Sequence, residues 1–345
     1  MLLFLLACNG GPKTTDDSSV VADDSSVSTD DSGGGGNTTP GHYFPDTAPW
    51  YLPVEGESID PTSEQVIAAL QAHGWGFGRF QIDFGMEVLE ADAGTTKMAF
   101  EPSELEFWSP DCDHVPVPLP EGGALEGETA YRCDSDGDCH LIVHSPSENR
   151  LYEMWRADVQ GETFVGGCLA VWETDRVYPE EGRGDQCTSA DAAGYPIAPL
   201  LFDADELAAG VIDHAIRFIL PNDAILDRVF YAPASHSTTA GDDIENAVPY
   251  GARLRLKPDF DMDRLETEEA KVVARALQRY GMVLADGGNI ALTARSDRFT
   301  EHKYADLGFD SHSMFGIEPQ DFEMMRLGAQ SSMGGDGCTR TQLTE

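Results

Sequence analysis

Apolar and polar residues alternate with a period of two in several short stretches of this chain, which is the pattern of half-buried β-strands. This alternation is clearest at 214–220 and 253–257, which are predicted strands. Residues 140–143 and 151–155 are mainly apolar runs on either side of the turn-forming stretch 145–149, so they predict a hairpin. Short apolar runs predict further strands at 168–172, 282–285 and 290–294. The last two flank 286–289, a turn-rich stretch, and are predicted to pair with each other.

Helical periodicity is confined to three segments. Asp60-Pro61 opens the first, whose stripe of Val66, Ile67 and Leu70 runs to a stop at Gly74. The second is short, at 203–209, and the third, 268–280, has the clearest apolar stripe. Strands far outnumber helices and do not alternate with them. The chain therefore predicts an α+β fold built mainly on antiparallel β-sheet, with a sandwich- or barrel-like core and a few peripheral helices.

The first forty residues differ from the rest. An apolar run, Met1–Ala7, precedes Cys8, and the two together resemble the lipobox of bacterial lipoproteins. The resemblance implies lipid on Cys8, export, and an anchor in the outer membrane of the cell envelope. The alternative is a cysteine that follows an apolar N-terminus by chance. The predicted organisation is a signal with its lipidated cysteine at 1–8, a linker at 9–40, one globular domain at 41–330 and a C-terminal tail at 331–345.

The linker 9–40 contains Asp, Ser, Thr and Gly and no aromatic residue. Such a segment buries too little apolar surface to offset the entropy of ordering it, so we expect a disordered acidic spacer. The formal net charge of the whole chain is −39. That charge argues against nucleic acid as a partner, because such binding depends on Lys and Arg neutralising phosphates. No phosphate-binding glycine loop occurs in a usable context, so no nucleotide is expected either.

Six cysteines follow Cys8, and an even number in an exported chain predicts disulfides. Proximity in sequence favours Cys133–Cys139 and Cys168–Cys187, which leaves Cys112–Cys338. Six cysteines allow 15 connectivities, so this pairing is a local guess.

Several blocks of the chain occur in an order that resembles a family of secreted bacterial and fungal proteins without an assigned activity. The most specific is Ser189-Ala190-Asp191-Ala192-Ala193-Gly194, and the others are 44–50, 140–143, 214–218, 253–257 and 280–288. The resemblance covers about residues 44–327. It implies export and a single domain, and it implies no reaction.

Candidate catalytic residues are those acids and bases that fall at strand ends or in loops. Asp191, His236 and Asp286 are predicted as acid and base groups, because histidine and carboxylates do most general acid–base chemistry. Each has a structural alternative: a turn around Ser189 for Asp191, an exposed loop for His236, and an Asx-type turn for Asp286. The predicted substrate-binding residues are His214, Arg217, Arg253 and Arg255. Their alternatives are a hydrogen-bonded core histidine and a basic stripe that pairs with carboxylates.

The stretch Asp134-Ser135-Asp136-Gly137-Asp138 resembles half of a calcium loop. Calcium needs six to eight oxygen ligands, and the glutamate that normally closes such a loop is missing, so a disulfide-closed turn is the alternative. Apart from calcium at Asp134, Asp136 and Asp138, no cofactor is expected.

Two functions remain open at this point. The first is a membrane-anchored surface enzyme that acts on an extracellular glycan, as a hydrolase with two carboxyl groups or as a lyase with a base and a charge neutraliser. The second is a non-catalytic ligand-binding or envelope lipoprotein.

Overall fold

The fold is given by a computed structural model that describes residues 38–135, 137–239, 245–335 and 337–344. These residues belong to one compact unit, Gly35–Glu345. The described residues form three α-helices, Ser63–His73 (α1), Ala204–Ala209 (α2) and Glu268–Arg279 (α3). Their strands are, in chain order, Ile82–Met86 (β1), Val88–Glu90 (β2), Lys97–Met98 (β3), Glu101–Pro102 (β4), Val117–Pro118 (β5), Leu141–Ser145 (β6), Arg150–Met154 (β7), Asp158–Gln160 (β8), Thr163–Gly166 (β9), Leu169–Glu173 (β10), Ile216–Leu220 (β11), Ile225–Tyr231 (β12), Val248–Tyr250 (β13), Arg253–Leu256 (β14), Met282–Gly287 (β15), Leu292–Arg295 (β16), Phe322–Met325 (β17) and Gln330–Ser332 (β18).

Two sheets dominate the unit. The larger has six strands in the order β1-β16-β11-β15-β14-β17, and the other has four in the order β10-β7-β6-β2. Both contain antiparallel and parallel neighbours. Smaller sheets, β13-β12-β18, β4-β9-β8 and β3-β5, complete the architecture. The predicted sheet-rich α+β class is confirmed.

The four-stranded sheet is buried on both faces. Leu141 and Val143 of β6 belong to one hydrophobic cluster, whereas Ile142 between them belongs to the other. Successive side chains of a strand point to opposite faces, so this sheet separates the two clusters. The predicted hairpin around 145–149 is confirmed as β6 and β7, which pair antiparallel.

The predicted helices are confirmed in place. Val66, Ile67 and Leu70 of α1 are buried, although α1 begins at Ser63, three residues after the predicted cap. Helix α2 begins with a capping box between Asp203 and Glu206. None of the helices in the described residues has the length and apolar character that crossing a bilayer requires.

The predicted pairing of the last two strands is wrong. Strand β11 lies between β15 and β16, parallel to β15 and antiparallel to β16. The reason is that β15 continues through Asp286 to Gly287 instead of turning back at Asp286. Gly288 N–H then donates to the carbonyl oxygen of Leu220 at 2.8 Å, so the chain passes across the end of β11.

Two of the three predicted disulfides are also wrong. Cys133–Cys139 is confirmed, but the other four cysteines pair as Cys112–Cys168 and Cys187–Cys338. The backbone N–H of Asp113 donates to the carbonyl oxygen of Leu169 at 2.7 Å, which brings Cys112 beside Cys168. Tertiary packing, not nearness in sequence, therefore selects the partners.

Residues predicted as a C-terminal tail are attached to the rest of the unit. β18 pairs antiparallel with β12, and Leu343 N–H donates to Oδ1 of Asp113 at 2.9 Å. Arg340 forms an ion pair with the same carboxylate at 2.7 Å. The Cys187–Cys338 disulfide adds a covalent link, so this segment forms part of the surface next to the site below.

Candidate active site

The loop 188–197 carries the Ser-Ala-Asp-Ala-Ala-Gly block and is held by its own polar groups. Ser189 Oγ donates to the carbonyl oxygen of Tyr195 at 2.6 Å and accepts from Asp191 N–H at 2.9 Å. The turn expected around Ser189 is therefore present. The loop also contacts the end of β15, where Ala193 N–H donates to the carbonyl oxygen of Ala285 at 2.9 Å.

A buried carboxylate fixes the far end of this loop. Glu153 of β7 accepts from the backbone N–H groups of Ile197 and Ala198, both at 2.8 Å, and from Trp172 Nε1 at 3.0 Å. Burial raises the pKa of Glu153 to about 7, against the opposing effect of those donors. The loop is thereby tied to the four-stranded sheet at one end and to the six-stranded sheet at the other.

Asp191 lies beneath the site rather than in it. Its fully buried carboxylate forms a two-point ion pair with Arg217 of β11, at 3.0 Å to Nε and 2.9 Å to Nη2. Arg217 Nη1 donates to Thr293 Oγ1 at 2.8 Å. This fork geometry holds the buried Asp191 carboxylate against Arg217, so Asp191 has no access to a substrate.

Asp286 is the second carboxyl group that contacts Arg217. Its Oδ2 lies 3.2 Å from Arg217 Nη2, and its Oδ1 accepts from Gly287 N–H at 2.7 Å. Burial and the neighbouring Asp191 carboxylate raise the pKa of Asp286 to about 7, although Arg217 opposes them. Its side chain is still 26% exposed. Asp286 is therefore a carboxyl group that is partly protonated near neutral pH and remains reachable from solvent.

His140 and Glu126 form a second charged pair near Asp286. His140 Nδ1 lies 2.6 Å from Glu126 Oε2, and its Nε2 lies 3.2 Å from the carbonyl oxygen of Ala190. Both partners only accept, so both ring nitrogens carry protons. Burial lowers the pKa of His140, but Glu126 more than offsets this and raises it to about 9. His140 is therefore a fixed cation near neutral pH.

Two cavities meet at Asp286. The larger has a volume of about 770 Å³ and the smaller of about 410 Å³, and they share Asp138, Asp286 and Gly287 in their linings. Arg217, Glu126 and His140 line the smaller cavity. The larger is lined by residues that include Trp108, Asp111, Trp155, Arg228 and His236. The two cavities adjoin at these shared residues, and we treat them together as one cleft that Asp286 lines.

His236 lies in the wall of the larger cavity. Its Nδ1 lies 2.7 Å from the carbonyl oxygen of Ala192, so Nδ1 carries the proton and Nε2 has the lone pair in the neutral ring. Nε2 has no protein partner among the described residues. Burial lowers the pKa of His236, which keeps the ring neutral near pH 7. Of the three predicted catalytic residues, His236 and Asp286 line the same cavity. Asp191 is buried and contacts Arg217, which in turn contacts Asp286.

Three of the four predicted substrate-binding residues lie outside both cavities. His214 is a buried histidine whose Nε2 is 3.2 Å from Glu206 and whose Nδ1 is 2.7 Å from the carbonyl oxygen of Ala215. Arg255 forms an ion pair with Glu323, and Arg253 donates to the carbonyl oxygen of Tyr280. Each of these three side chains is therefore bonded to other groups of the protein and does not face either cavity.

The acidic loop behind the calcium prediction has protein partners. Asp134 forms an ion pair with Arg132 at 2.7 Å, and Asp138 accepts from Trp155 Nε1. Asp136 lies outside the described residues, as does Cys8 with the lipid predicted on it. Calcium at this loop stays a prediction.

Four residues of this cleft are not predicted as site residues by local sequence pattern. The pattern predicts a strand at His140 and nothing at Glu126, because nothing local links two residues that are 14 positions apart. Asp138 is predicted only as a calcium ligand, whereas it lines both cavities. Trp108 directly follows Phe107, so local pattern does not distinguish it from a core residue.

The Cys187–Cys338 disulfide forms part of the larger cavity's wall and gives a testable prediction. Its cysteines are 151 positions apart. In the chain-entropy treatment, the double variant Cys187→Ser/Cys338→Ser should lose about 5 kcal/mol of unfolding free energy, whereas Cys133→Ser/Cys139→Ser, with a separation of 6, should lose about 2 kcal/mol. Urea unfolding of the two double variants measures both losses, and equal losses would contradict the prediction.

No family model, curated protein or solved structure matches the chain. The resemblance to secreted bacterial and fungal proteins therefore stays a prediction.

Proposed function

We propose that this protein is a glycan hydrolase, exported and anchored to the outer membrane through lipid on Cys8, which uses Asp286 as its general acid. One observation carries the proposal: Asp286 is a carboxyl group with a pKa of about 7 that is enclosed by fixed charges yet exposed to a cleft. A protonated carboxyl group near neutral pH is what protonation of a glycosidic oxygen requires.

Asp138 is the second carboxyl group in this proposal. Glycosidases generally use two carboxyl groups on either side of the scissile bond, and Asp138 lines both cavities together with Asp286. Asp286 gives its proton to the leaving oxygen as the bond to the anomeric carbon breaks. Water adds to that carbon, and its proton passes to Asp138. His236 Nε2 accepts a hydrogen bond from a substrate hydroxyl and orients it.

The hydrolase is favoured over the lyase because of how Arg217 is used. A lyase needs a cation that neutralises a substrate carboxylate, and Arg217, which the sequence predicts as a substrate-binding residue, lines the smaller cavity. Its guanidinium is 3% exposed and is already paired with Asp191 and Asp286. An acidic glycan would also have to approach a chain of net charge −39, which is unfavourable.

The test is an assay of the purified chain against a panel of neutral and acidic polysaccharides. We expect new reducing ends from a neutral glycan and no ultraviolet-absorbing unsaturated product. Unsaturated products would replace the hydrolase with the lyase. Saturable binding without any cleavage would favour the second candidate, a ligand-binding envelope lipoprotein. Mass spectrometry of the mature N-terminus tests the anchor separately, and a chain without lipid on Cys8 would remove it.

A further inference from the structure

Two tryptophans at the larger cavity form a flat aromatic surface. The rings of Trp108 and Trp155 stack with their centroids 5.7 Å apart and their planes 14° from parallel. Trp155 directly follows β7, and both rings line the cavity that contains Asp286. The stack therefore lies in the same cleft as the proposed acid.

Trp108 is exposed where the other indoles are not. Its relative exposure is 45%, whereas Trp50, Trp75 and Trp172 are buried. All five tryptophans of the chain are among the described residues. An indole that stays exposed in a concave site forgoes the stabilisation that burying its apolar surface would give. Such surfaces commonly bind a ligand.

The stack is also held in place before any ligand arrives. Trp155 Nε1 donates to Asp138, and the guanidinium of Arg156 lies 4.8 Å from the centre of the Trp155 ring. The segment of Trp108 is tied to β10 through Cys112–Cys168, and Trp108 N–H contacts Cys112 Sγ at 3.4 Å. A rigid aromatic surface loses little entropy on binding.

The net charge of the chain indicates which ligand fits this surface. The described lining contains the carboxyl groups of Asp111, Asp138 and Asp286 and the guanidinium of Arg228, and Arg156 adds a second guanidinium beside the Trp155 ring. These local charges nearly balance, but the net charge of −39 disfavours the approach of uronic acids and sulfated sugars. The apolar C–H face of an uncharged pyranose suits a flat indole, and its hydroxyl groups suit the surrounding carboxylates.

We propose that Trp108 and Trp155 form a binding subsite for a neutral pyranose of the substrate, next to the proposed catalytic pair Asp138 and Asp286. This inference rests on the proposed glycan hydrolase and specifies its substrate class. Trp108 presents its exposed ring to the sugar, and Trp155 supports Trp108 from behind and links the platform to Asp138.

Direct binding tests the subsite without requiring turnover. Asp286→Asn should slow cleavage by about 10²-fold or more. In that background the titrated probes are cellohexaose, mannohexaose and chitohexaose, with hexagalacturonate as the charged counterpart. Tryptophan fluorescence and calorimetry report the Kd. We expect at least one neutral probe to bind, Trp108→Ala to weaken it on the order of tenfold, and Trp108→Phe to retain part of the affinity. Phe299→Ala is the matched control, because Phe299 is 49% exposed and lines neither cavity.

The outcomes separate the subsite from the hydrolase. An unchanged Kd in a folded Trp108→Ala variant, tighter binding of hexagalacturonate, or no binding of any neutral probe overturns the subsite. Tight, Trp108-dependent binding of a glycan that the wild-type chain never cleaves overturns the hydrolase and leaves the subsite standing. Thermal unfolding of each variant checks that the loss of binding does not come from loss of the fold.

Discussion

Asp286→Asn is expected to lower the turnover of a responsive glycan by about 10²- to 10⁴-fold, which is the usual contribution of a general acid. The asparagine keeps the size of the side chain and has no proton to give. In the wild type, the acid works only while protonated, so activity should fall as pH rises through the pKa of Asp286, about 7. That basic limb of the pH profile should be missing from the residual activity of the variant.

Stability measurements separate this effect from misfolding. The pKa of Asp286 is raised in the fold, so its stabilising contribution is complete at low pH and is lost as pH rises through about 7. The variant should therefore resist urea as well as the wild type in acid and better above neutral pH. Asp259→Asn is the matched control, because Asp259 is exposed and lines neither cavity. An equal loss of activity in both variants, or an unchanged basic limb in Asp286→Asn, would show that Asp286 is not the acid.

Arg217→Met is expected to destabilise the fold by about 3–5 kcal/mol, because it leaves the buried Asp191 carboxylate without its partner. Adding Asp191→Asn should recover part of this loss, since the unpaired charge is then removed. The exposed pair of Arg176 and Glu173 is the control, and Arg176→Met should cost at most about 1 kcal/mol. Urea unfolding measures all three.

The same variant tests whether Arg217 positions Asp286. Arg217 lowers the pKa of Asp286, so its removal should move the basic limb of the pH profile upward in whatever fraction folds. If Arg217→Met is destabilised but its activity still falls at the same basic pH as that of the wild type, Arg217 has a purely structural role.

Local sequence patterns predicted helices and strands well where residues adjacent in sequence determine the backbone conformation. The stripe of α1, the apolar side of α3 and the β6–β7 hairpin follow from periodicities of 3.6 and two, with turn formers at 145–149. The position of Asp286 at the end of a strand was also predicted, since an apolar run ends there. Local pattern did not determine whether the chain after Asp286 forms a hairpin or passes across the end of β11.

The sequence by itself determined the three α-helices, seven of the eighteen strands of the described residues, the sheet-rich class, one short disulfide and two of the groups that share the larger cavity. Tertiary structure alone decided the long disulfides, the place of β11 between β15 and β16, the pairing of Arg217 with Asp191 and the presence of Asp138 and Asp286 in the same two cavities. The physical reason is that burial periodicity reports only which face of an element avoids water. Which elements then become neighbours depends on packing over the whole chain, and the raised pKa of Asp286 exists only once burial and the Asp191 charge surround it.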